Sequence, residues 1–199
     1  MLIVTDKADG LPERLTSQHV FCADKSVRAT QSMLDRNYNY RRRLPHFQKH
    51  GTPMFVTFRR LTREPFTSEA CELIFKHCLH DDNQKYLLHA AVVMPDHVHL
   101  LLRPLVDAGG WPFSLPVILK SLKGASARSV NRVMGTEGPV WQDESFDHVL
   151  RNDESMREKM EYIRQNPVRK GLVTKPEDYA WLWIEEGWLK ESSEVPGNS

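Results

Sequence analysis

The chain has 199 residues, of which 40% are hydrophobic and 27% charged, and its formal net charge at pH 7 is +1. This length predicts one domain with its own core and some tail, and it excludes two domains of ordinary size. The near-neutral charge excludes a protein that is basic over its whole surface, as a general nucleic-acid coat would be.

The chain divides into three segments by composition. Residues 1–35 show no clean periodicity and are assigned to an N-terminal appendage, and residues 181–199 end in a polar run and are assigned to a C-terminal tail. The main domain is predicted over residues 36–180 and begins with a basic arm, residues 36–50. From Arg36 to Arg60 there are seven Lys or Arg residues and no acid, a local block that indicates contact with a polyanion.

The first half of the domain is predicted to contain a strand, a helix and a hairpin. The segment MFVTFRRL, residues 54–61, is β-branched and aromatic and predicts a strand. A helix with one apolar face follows, with Thr67 or Ser68 as its N-cap. The segment YLLHAAVVMPDHVHLLLRP, residues 86–104, contains two apolar runs divided by Pro95-Asp96, which predicts an antiparallel hairpin.

The second half of the domain is predicted to contain helix, strand and helix. The second helix runs from about Leu115 to Met134 and ends at Gly135. A further strand lies in PVWQDESFDHVL, residues 139–150, and a third helix begins after it and is expected to stop at Pro167. The whole order predicts an α+β fold in which helices pack on a mostly antiparallel sheet.

Cysteine usage and hydropathy indicate the compartment. The cysteines Cys22, Cys71 and Cys78 have no CxxC or other common zinc spacing, which makes a disulfide framework and a structural zinc site unexpected. No apolar run approaches the roughly 18 residues of a spanning helix, and Asp6 comes too early for a secretory signal. We therefore expect a soluble cytoplasmic protein with reduced thiols and no membrane contact.

Two histidines stand one residue apart in the second strand of the predicted hairpin. Residues i and i+2 of a strand point to the same face, so His97 and His99 can bind one cation together. The same pattern also occurs on solvated strand faces, and the pair alone leaves both interpretations open. The leucines that follow continue on both faces, which predicts a strand buried on both sides, where histidines need hydrogen-bond partners or a metal.

The third predicted helix supplies further polar groups. Tyr162 and Asn166 are four residues apart and share a helix face, at the edge of the apolar stripe of Met156, Met160 and Ile163. Each has an ordinary alternative, an edge tyrosine with its hydroxyl in water and an asparagine that ends a helix. With the histidine pair they form a set of two imidazoles, an amide and a phenol. Such a set can hold a divalent cation beside an oxygen nucleophile.

Five motifs in this order resemble a known family, the single-tyrosine members of the HUH nuclease superfamily, and among them the REP-associated tyrosine transposases. The similarity runs from about Tyr40 to Tyr179. The motifs are YRRRLPH leading into PMFVTFR, MPDHVHLLLRP, SLKGASARSVN, VWQDESFDHVLR and YIRQNPVRKGLV.

The resemblance implies a fold, a metal site and a reaction. The implied fold is a ferredoxin-like antiparallel sheet, the HUH nuclease fold, with the histidine strand at its centre and the tyrosine helix across it. His97, His99 and Asn166 would bind Mg²⁺ or Mn²⁺, and Tyr162 would attack a phosphodiester of single-stranded DNA, leaving a 5′-phosphotyrosine and a free 3′-hydroxyl. Insertion-sequence members commonly carry Gln at the position of Asn166, so Gln165 is an alternative ligand.

The same resemblance implies partners. The substrate would be single-stranded DNA with hairpins, such as palindromic repeats, and members of the family are monomers or homodimers. Two other functions stay open: a domesticated protein that binds DNA hairpins without transposition, and a metal-dependent phosphodiesterase in which Tyr162 is incidental.

Basic residues on two elements are candidates for DNA binding. Arg41, Arg42 and Arg43 follow tyrosines in the basic arm, a mixture suited to phosphate contact and base stacking. A solvated charge run is the alternative. Lys120 and Lys123 on the second helix can hold the backbone of a DNA hairpin, or they are ordinary surface lysines.

Overall fold

The structure, a computed structural model, describes residues 38–41, 45–48, 51–150 and 152–187. For residues 38–41, 45–48 and 154 it describes the backbone alone. In chain order the elements are β1 (Tyr38–Arg41), β2 (Pro45–Gln48), β3 (Met54–Arg60), α1 (Ser68–His80), β4 (Tyr86–Val93), β5 (His97–Pro104), α2 (Leu115–Met134), β6 (Trp141–Val149), α3 (Asp153–Arg169), a 3-10 turn (Pro176–Asp178) and β7 (Leu182–Ile184).

The described strands form a five-stranded sheet and a separate hairpin. The order in the sheet is β6-β3-β5-β4-β7, and every neighbouring pair is antiparallel. Strands β1 and β2 pair with each other. The predicted α+β fold is therefore confirmed, and the histidine strand, β5, is the central strand of the sheet.

The two faces of the sheet carry separate cores. Helices α1 and α2 cover one face, where Val98, Leu100 and Leu102 of β5 are buried. Helix α3 packs on β4 and β5 of the other face, and its Met160 and Ile163 are buried against that face. Since β5 is buried on both sides, as predicted, its polar residues must find partners within the protein.

The predicted hairpin is confirmed and its turn is held from both sides. The Met94 N–H donates to the His97 carbonyl at 2.8 Å, which closes the turn between β4 and β5. The Arg60 N–H donates to the Asp96 carbonyl at 2.9 Å, so the end of β3 also holds the turn. The position of the first histidine is thus set by three strands.

The expected stop of α3 at Pro167 was wrong, because the helix continues to Arg169. Proline lacks an N–H and its ring clashes with the carbonyl four residues earlier, so α3 continues past Pro167 without a hydrogen bond from that residue. Beyond it, the Lys170 N–H donates to the Asn166 carbonyl at 3.1 Å and the Leu172 N–H to the Pro167 carbonyl at 2.9 Å. These bonds keep Asn166 on the same helix as Tyr162.

The segment assigned to the C-terminal tail begins inside the sheet. Residues 182–184 form β7, in which Trp183 pairs with Ala91 of β4, and the side chains of Leu182 and Ile184 pack into the core under α3. The division into 1–35, 36–180 and 181–199 stays a prediction, and residues 1–35 lie outside the described part of the chain. No helix within the described residues is long and apolar enough to cross a membrane.

Candidate functional site

The two histidines of β5 lie together under α3, as predicted. Their side chains share the face of the sheet on which α3 packs, and their ring centroids are 4.6 Å apart. Both residues are buried, with exposed fractions of 3% for His97 and 4% for His99. A solvated strand face, the ordinary interpretation of the pattern, is therefore excluded.

Each imidazole is held through its Nδ1 atom. The Nδ1 of His97 is 2.5 Å from the Asp96 Oδ1 carboxylate oxygen, and the Nδ1 of His99 is 2.7 Å from the Thr57 Oγ1 hydroxyl. A proton on Nδ1 that is donated to these oxygens leaves the lone pair on Nε2, the tautomer that a metal ligand requires. The strand and its neighbour thus orient both rings with Nε2 available.

Helix α3 places the predicted tyrosine against these rings. The Tyr162 ring centroid is 5.3 Å from that of His99 and 5.9 Å from that of Phe55, both in edge-to-face geometry. Asn166, one turn further along, is buried with 4% exposure. The predicted shared face of Tyr162 and Asn166 is therefore the face of α3 that meets the histidine strand.

Two buried polar atoms at this contact have no hydrogen-bond partner in the described part of the chain: the Nε2 of His99 and the Oδ1 of Asn166. An unsatisfied buried polar atom costs about 1–3 kcal/mol, so native proteins rarely leave one without a function. One of these atoms comes from β5 and the other from α3. Imidazole nitrogen and amide oxygen are both ligands of divalent cations, so the donor set fits a metal.

The candidate metal site contains two histidines and an amide. Among the described residues, no three His, Cys, Asp or Glu side chains form a group that could hold a metal ion. Gln165, the alternative third ligand, donates from its Nε2 to the Glu161 carboxylate at 2.9 Å. The Asn166 Oδ1 is buried and has no hydrogen-bond partner in the described residues, whereas Gln165 bonds along the helix, so the geometry favours Asn166.

The protonation states suit metal binding. Burial is the largest cause that lowers the pKa of His99, to about 3, and electrostatic repulsion from a protonated His97 and from Arg59 lowers it further. Burial also lowers the pKa of His97, against its hydrogen bond with Asp96, which raises it. Burial alone would raise the pKa of Asp96, but its bond to His97 and the charge of Arg59 hold that pKa below the usual value. At neutral pH both imidazoles are therefore uncharged and the Asp96 side chain is a carboxylate. Only an uncharged imidazole can bind a metal.

Basic side chains surround the tyrosine. The Lys159 Nζ lies 5.1 Å from the Phe55 ring centroid and 5.8 Å from that of Tyr162, and the Arg169 guanidinium carbon lies 5.6 Å from the Tyr162 centroid. Arg59 of β3 pairs with Asp96 at 3.4 Å. Positive charge at these positions stabilises an anionic group beside the phenol.

The predicted DNA-binding residues are placed only in part. Arg42 and Arg43, and the side chain of Arg41, lie outside the described residues. Lys120 is exposed on α2, whereas the Lys123 ammonium donates to the backbone carbonyls of Gln142 and Asp143 at 2.6 and 3.1 Å and so braces the start of β6. The DNA-binding roles of these five residues stay predictions.

Both lysines line a groove of about 620 Å³ between α2 and β6. Three acidic residues of β6, Asp143, Glu144 and Asp147, line the same groove. Their negative charge opposes the binding of a phosphate backbone at this surface.

Six contributors to the site were not predicted from the sequence: Phe55, Thr57, Arg59, Asp96, Lys159 and Arg169. Asp96 was assigned to the turn only, although its position next to His97 was a signal for a bond to the imidazole. Lys159 precedes Tyr162 by three residues, which places the two on one helix face. Phe55 and Thr57 belong to β3, and nothing in a single sequence indicates which residue of one strand lies opposite a histidine of another.

Comparisons with known proteins bear on the fold and on the family resemblance. No family model matches the chain. A protein of Haemophilus influenzae named "Putative REP-associated tyrosine transposase" is 25% identical over 97 residues, which are 46% of this chain and 55% of that protein. The chain thus spans about half the length of this relative.

A solved structure has the same fold. It is a REP-associated tyrosine transposase bound to a REP hairpin, and it is similar to this chain with a TM-score of 0.53 and 22% sequence identity, over 72% of this chain and 80% of that one. The likeness in structure establishes the fold. The resemblance to the REP-associated tyrosine transposases that the motifs predict is therefore confirmed, by the sequence of a relative and by the fold of a solved structure.

Proposed function

We propose that the protein cleaves and rejoins single-stranded DNA at hairpins through a covalent 5′-phosphotyrosine link on Tyr162, with a divalent cation held by His97, His99 and Asn166. One observation carries this proposal. The buried and unpartnered atoms His99 Nε2 and Asn166 Oδ1 belong to residues beside a partly exposed tyrosine, whose ring lies 5.3 Å from that of His99. A ligand group and a nucleophile thus share one small site.

The relatives support the choice of substrate. One relative carries the name of a REP-associated tyrosine transposase, and the structure with the same fold is bound to a REP hairpin. For this chain we therefore propose a hairpin of single-stranded DNA as the substrate and transposition, or a related strand exchange, as the process.

The covalent step uses the phenol of Tyr162. Its Oη attacks the phosphorus of a phosphodiester, forming a P–O bond to the tyrosine and breaking the P–O bond to the 3′ oxygen of the preceding nucleotide. The phenol loses one proton and the leaving 3′ oxygen gains one, so the number of protons does not change in the step. The link conserves the energy of the phosphodiester, so the 3′-hydroxyl of another strand can reverse the step without ATP.

The residues around the tyrosine have separate tasks. A cation bound by His97, His99 and Asn166, Mg²⁺ or Mn²⁺, would orient the phosphate and neutralise the charge that develops on it. Lys159 and Arg169 lie over the Tyr162 ring and can neutralise the charge of a phosphate that approaches the phenol. Packing of Met160 and Ile163 against the sheet fixes the helix, and therefore the nucleophile, in position.

We propose that one chain assembles the whole site. Tyr162 lies beside the histidines of its own sheet, which supports cleavage in cis and a protein that acts as a monomer. A homodimer with each site formed by a single chain is compatible with the same geometry.

The test is an adduct assay. We expect the full chain, incubated with end-labelled single-stranded hairpin DNA and Mn²⁺ or Mg²⁺, to form a protein–DNA adduct that survives a denaturing gel. Hairpin binding without an adduct would instead support the domesticated binding protein. Cleavage without an adduct would support the metal-dependent phosphodiesterase.

The carboxylate behind His97 provides a further prediction. We expect Asp96→Asn to weaken Mn²⁺ binding by about 10- to 100-fold, because the Asp96 carboxylate orients the His97 imidazole and raises its basicity. Isothermal titration of the protein with Mn²⁺ measures the affinity without reference to activity. The matched control is Asp178→Asn, which changes an exposed carboxylate in the 3-10 turn. Equal Mn²⁺ affinity in Asp96→Asn and the wild type would contradict the role of Asp96.

A further inference from the structure

An exposed aromatic side chain lies on the face of the sheet that carries His97 and His99, called here the catalytic face. Phe146 of β6 is 57% exposed, more than any other large hydrophobic residue in the described part of the chain. It pairs directly with Thr57 of β3, and Thr57 pairs with His99 of β5 and bonds its ring. Directly opposed residues of antiparallel strands share a face, so these three side chains form one row across the sheet.

Two of the three acidic residues of β6 lie on the face away from Phe146. Asp147 pairs with Val56, which is buried under α1 and α2, and alternation along the strand places Asp143 on the same face. On the other face, the exposed Phe146 and His148 lie opposite Thr57 and Phe55. The face of β6 that carries Phe146 and His148 therefore lacks Asp143 and Asp147, and Glu144 is the one acidic residue of β6 that alternation places on it.

Two positively charged side chains, those of Arg59 and Lys159, lie beside the candidate catalytic site. The Arg59 side chain is about half exposed and belongs to the residue of β3 that pairs with His97. The Lys159 ammonium lies above Phe55. An aromatic surface with cations along one side is the combination with which proteins bind single-stranded nucleic acid: stacking for the bases and positive charge for the backbone.

We infer that the exposed side chains of Arg59, Phe146 and His148, called here the β3–β6 shelf, bind the single-stranded DNA that flanks the cleaved phosphodiester, with Phe146 stacked on one of its bases. The inference rests on the proposed function and adds a binding site to it. Strands of a sheet lie about 4.8 Å apart, so Phe146 is about 10 Å from the histidine strand, within reach of a nucleotide near the scissile phosphate. Stacking accepts every base, so the shelf contributes affinity with little sequence preference.

The test compares two probes on a protein that binds without cleaving. The full-length Tyr162→Phe variant is titrated with a DNA hairpin that carries single-stranded flanks and with the same hairpin without flanks. Into this background we introduce Phe146→Leu, which keeps an apolar side chain and removes the ring, and Phe146→Trp, which keeps an aromatic face. The matched control is Trp111→Ala, which removes an aromatic residue of similar exposure, 47%, from the loop between β5 and α2.

We expect Phe146→Leu to weaken binding of the flanked hairpin by about 5- to 100-fold, the range of a lost base stack. Binding of the hairpin without flanks should not change, and Phe146→Trp and Trp111→Ala should bind both probes like the parent. A 2-aminopurine base placed in turn at each flank position should be quenched at one position by the parent and at none by Phe146→Leu. Equal affinity of Phe146→Leu and the parent for the flanked probe would overturn the inference, as would an equal loss for both probes.

Failure of this inference can be told from failure of the proposed function. If the protein with Tyr162 intact forms the covalent adduct while Phe146→Leu binds the flanked probe normally, only the shelf is refuted. If that protein forms no adduct, the proposed function itself has failed, whatever Phe146 does.

Discussion

Replacement of His99 by alanine is expected to lower the rate of DNA cleavage by at least about 10³-fold, because Lewis-acid stabilisation of a transition state contributes several kcal/mol and each 1.36 kcal/mol is tenfold in rate. The loss should appear in single-turnover cleavage of hairpin DNA with Mn²⁺. Binding of Mn²⁺ should fall in parallel, while affinity for the hairpin should change little.

The structure provides a matched control for this change. His89 of β4 is also a buried imidazole, with 7% exposure, and its Nε2 likewise lacks a hydrogen-bond partner in the described part of the chain. Its Nδ1 bonds to Glu185 at 2.9 Å, and it lies three residues along β4 from Val92, the partner of His99. We expect His89→Ala to cost stability and to keep cleavage. If both alanine variants lose cleavage and melt early alike, the histidines are core residues and the catalytic interpretation of His99 is contradicted.

Replacement of Tyr162 by phenylalanine is expected to abolish the covalent adduct and to reduce cleavage by at least about 10⁴-fold, as removal of a nucleophile does in other covalent enzymes. The change keeps the ring and its contacts with His99 and Phe55. Stability, Mn²⁺ affinity and hairpin binding should therefore stay close to those of the wild type. The measurement is the amount of adduct on a denaturing gel beside a thermal melt.

The variant Tyr179→Phe is a control that distinguishes loss of the nucleophile from loss of any tyrosine hydroxyl. The Tyr179 hydroxyl is buried and donates to the Val93 carbonyl at 2.8 Å, so Tyr179→Phe should destabilise the fold by about 1 kcal/mol. Its adduct should nevertheless form at the normal rate. Cleavage that persists in Tyr162→Phe would contradict the covalent mechanism and favour hydrolysis by a metal-bound site.

Local patterns were sufficient to predict most elements and the four central residues of the site. The i, i+2 spacing of His97 and His99 and the i, i+4 spacing of Tyr162 and Asn166 follow from the geometry of a strand and a helix, so each pair could be assigned to one face. That α3 lies on the face of β5 that carries the histidines came from the family resemblance. Periodicity places a side chain on a face of its element, and it does not decide which two faces meet.

The parts that the sequence did not predict depend on contacts between distant segments. Thr57 bonds His99 only because β3 and β5 pair in that register, and register is fixed by the packing of the whole sheet. Phe146 belongs to the catalytic face for the same reason. The continuation of α3 through Pro167 depends on hydrogen bonds that residues beyond the proline make, whereas the local preference of the residue before a proline predicts a stop.

The central claim is that Tyr162 becomes covalently joined to the 5′-phosphate of cleaved DNA, and mapping the adduct by mass spectrometry tests it most directly. Trypsin cuts after Lys159 and Arg164 and releases residues 160–164, MEYIR, in which Tyr162 is the one side chain with a hydroxyl group. After digestion of the adduct with trypsin and nuclease, we predict this peptide with the added mass of a 5′-linked nucleotide. An adduct on a different peptide, or cleaved DNA with unmodified MEYIR throughout, would contradict the account.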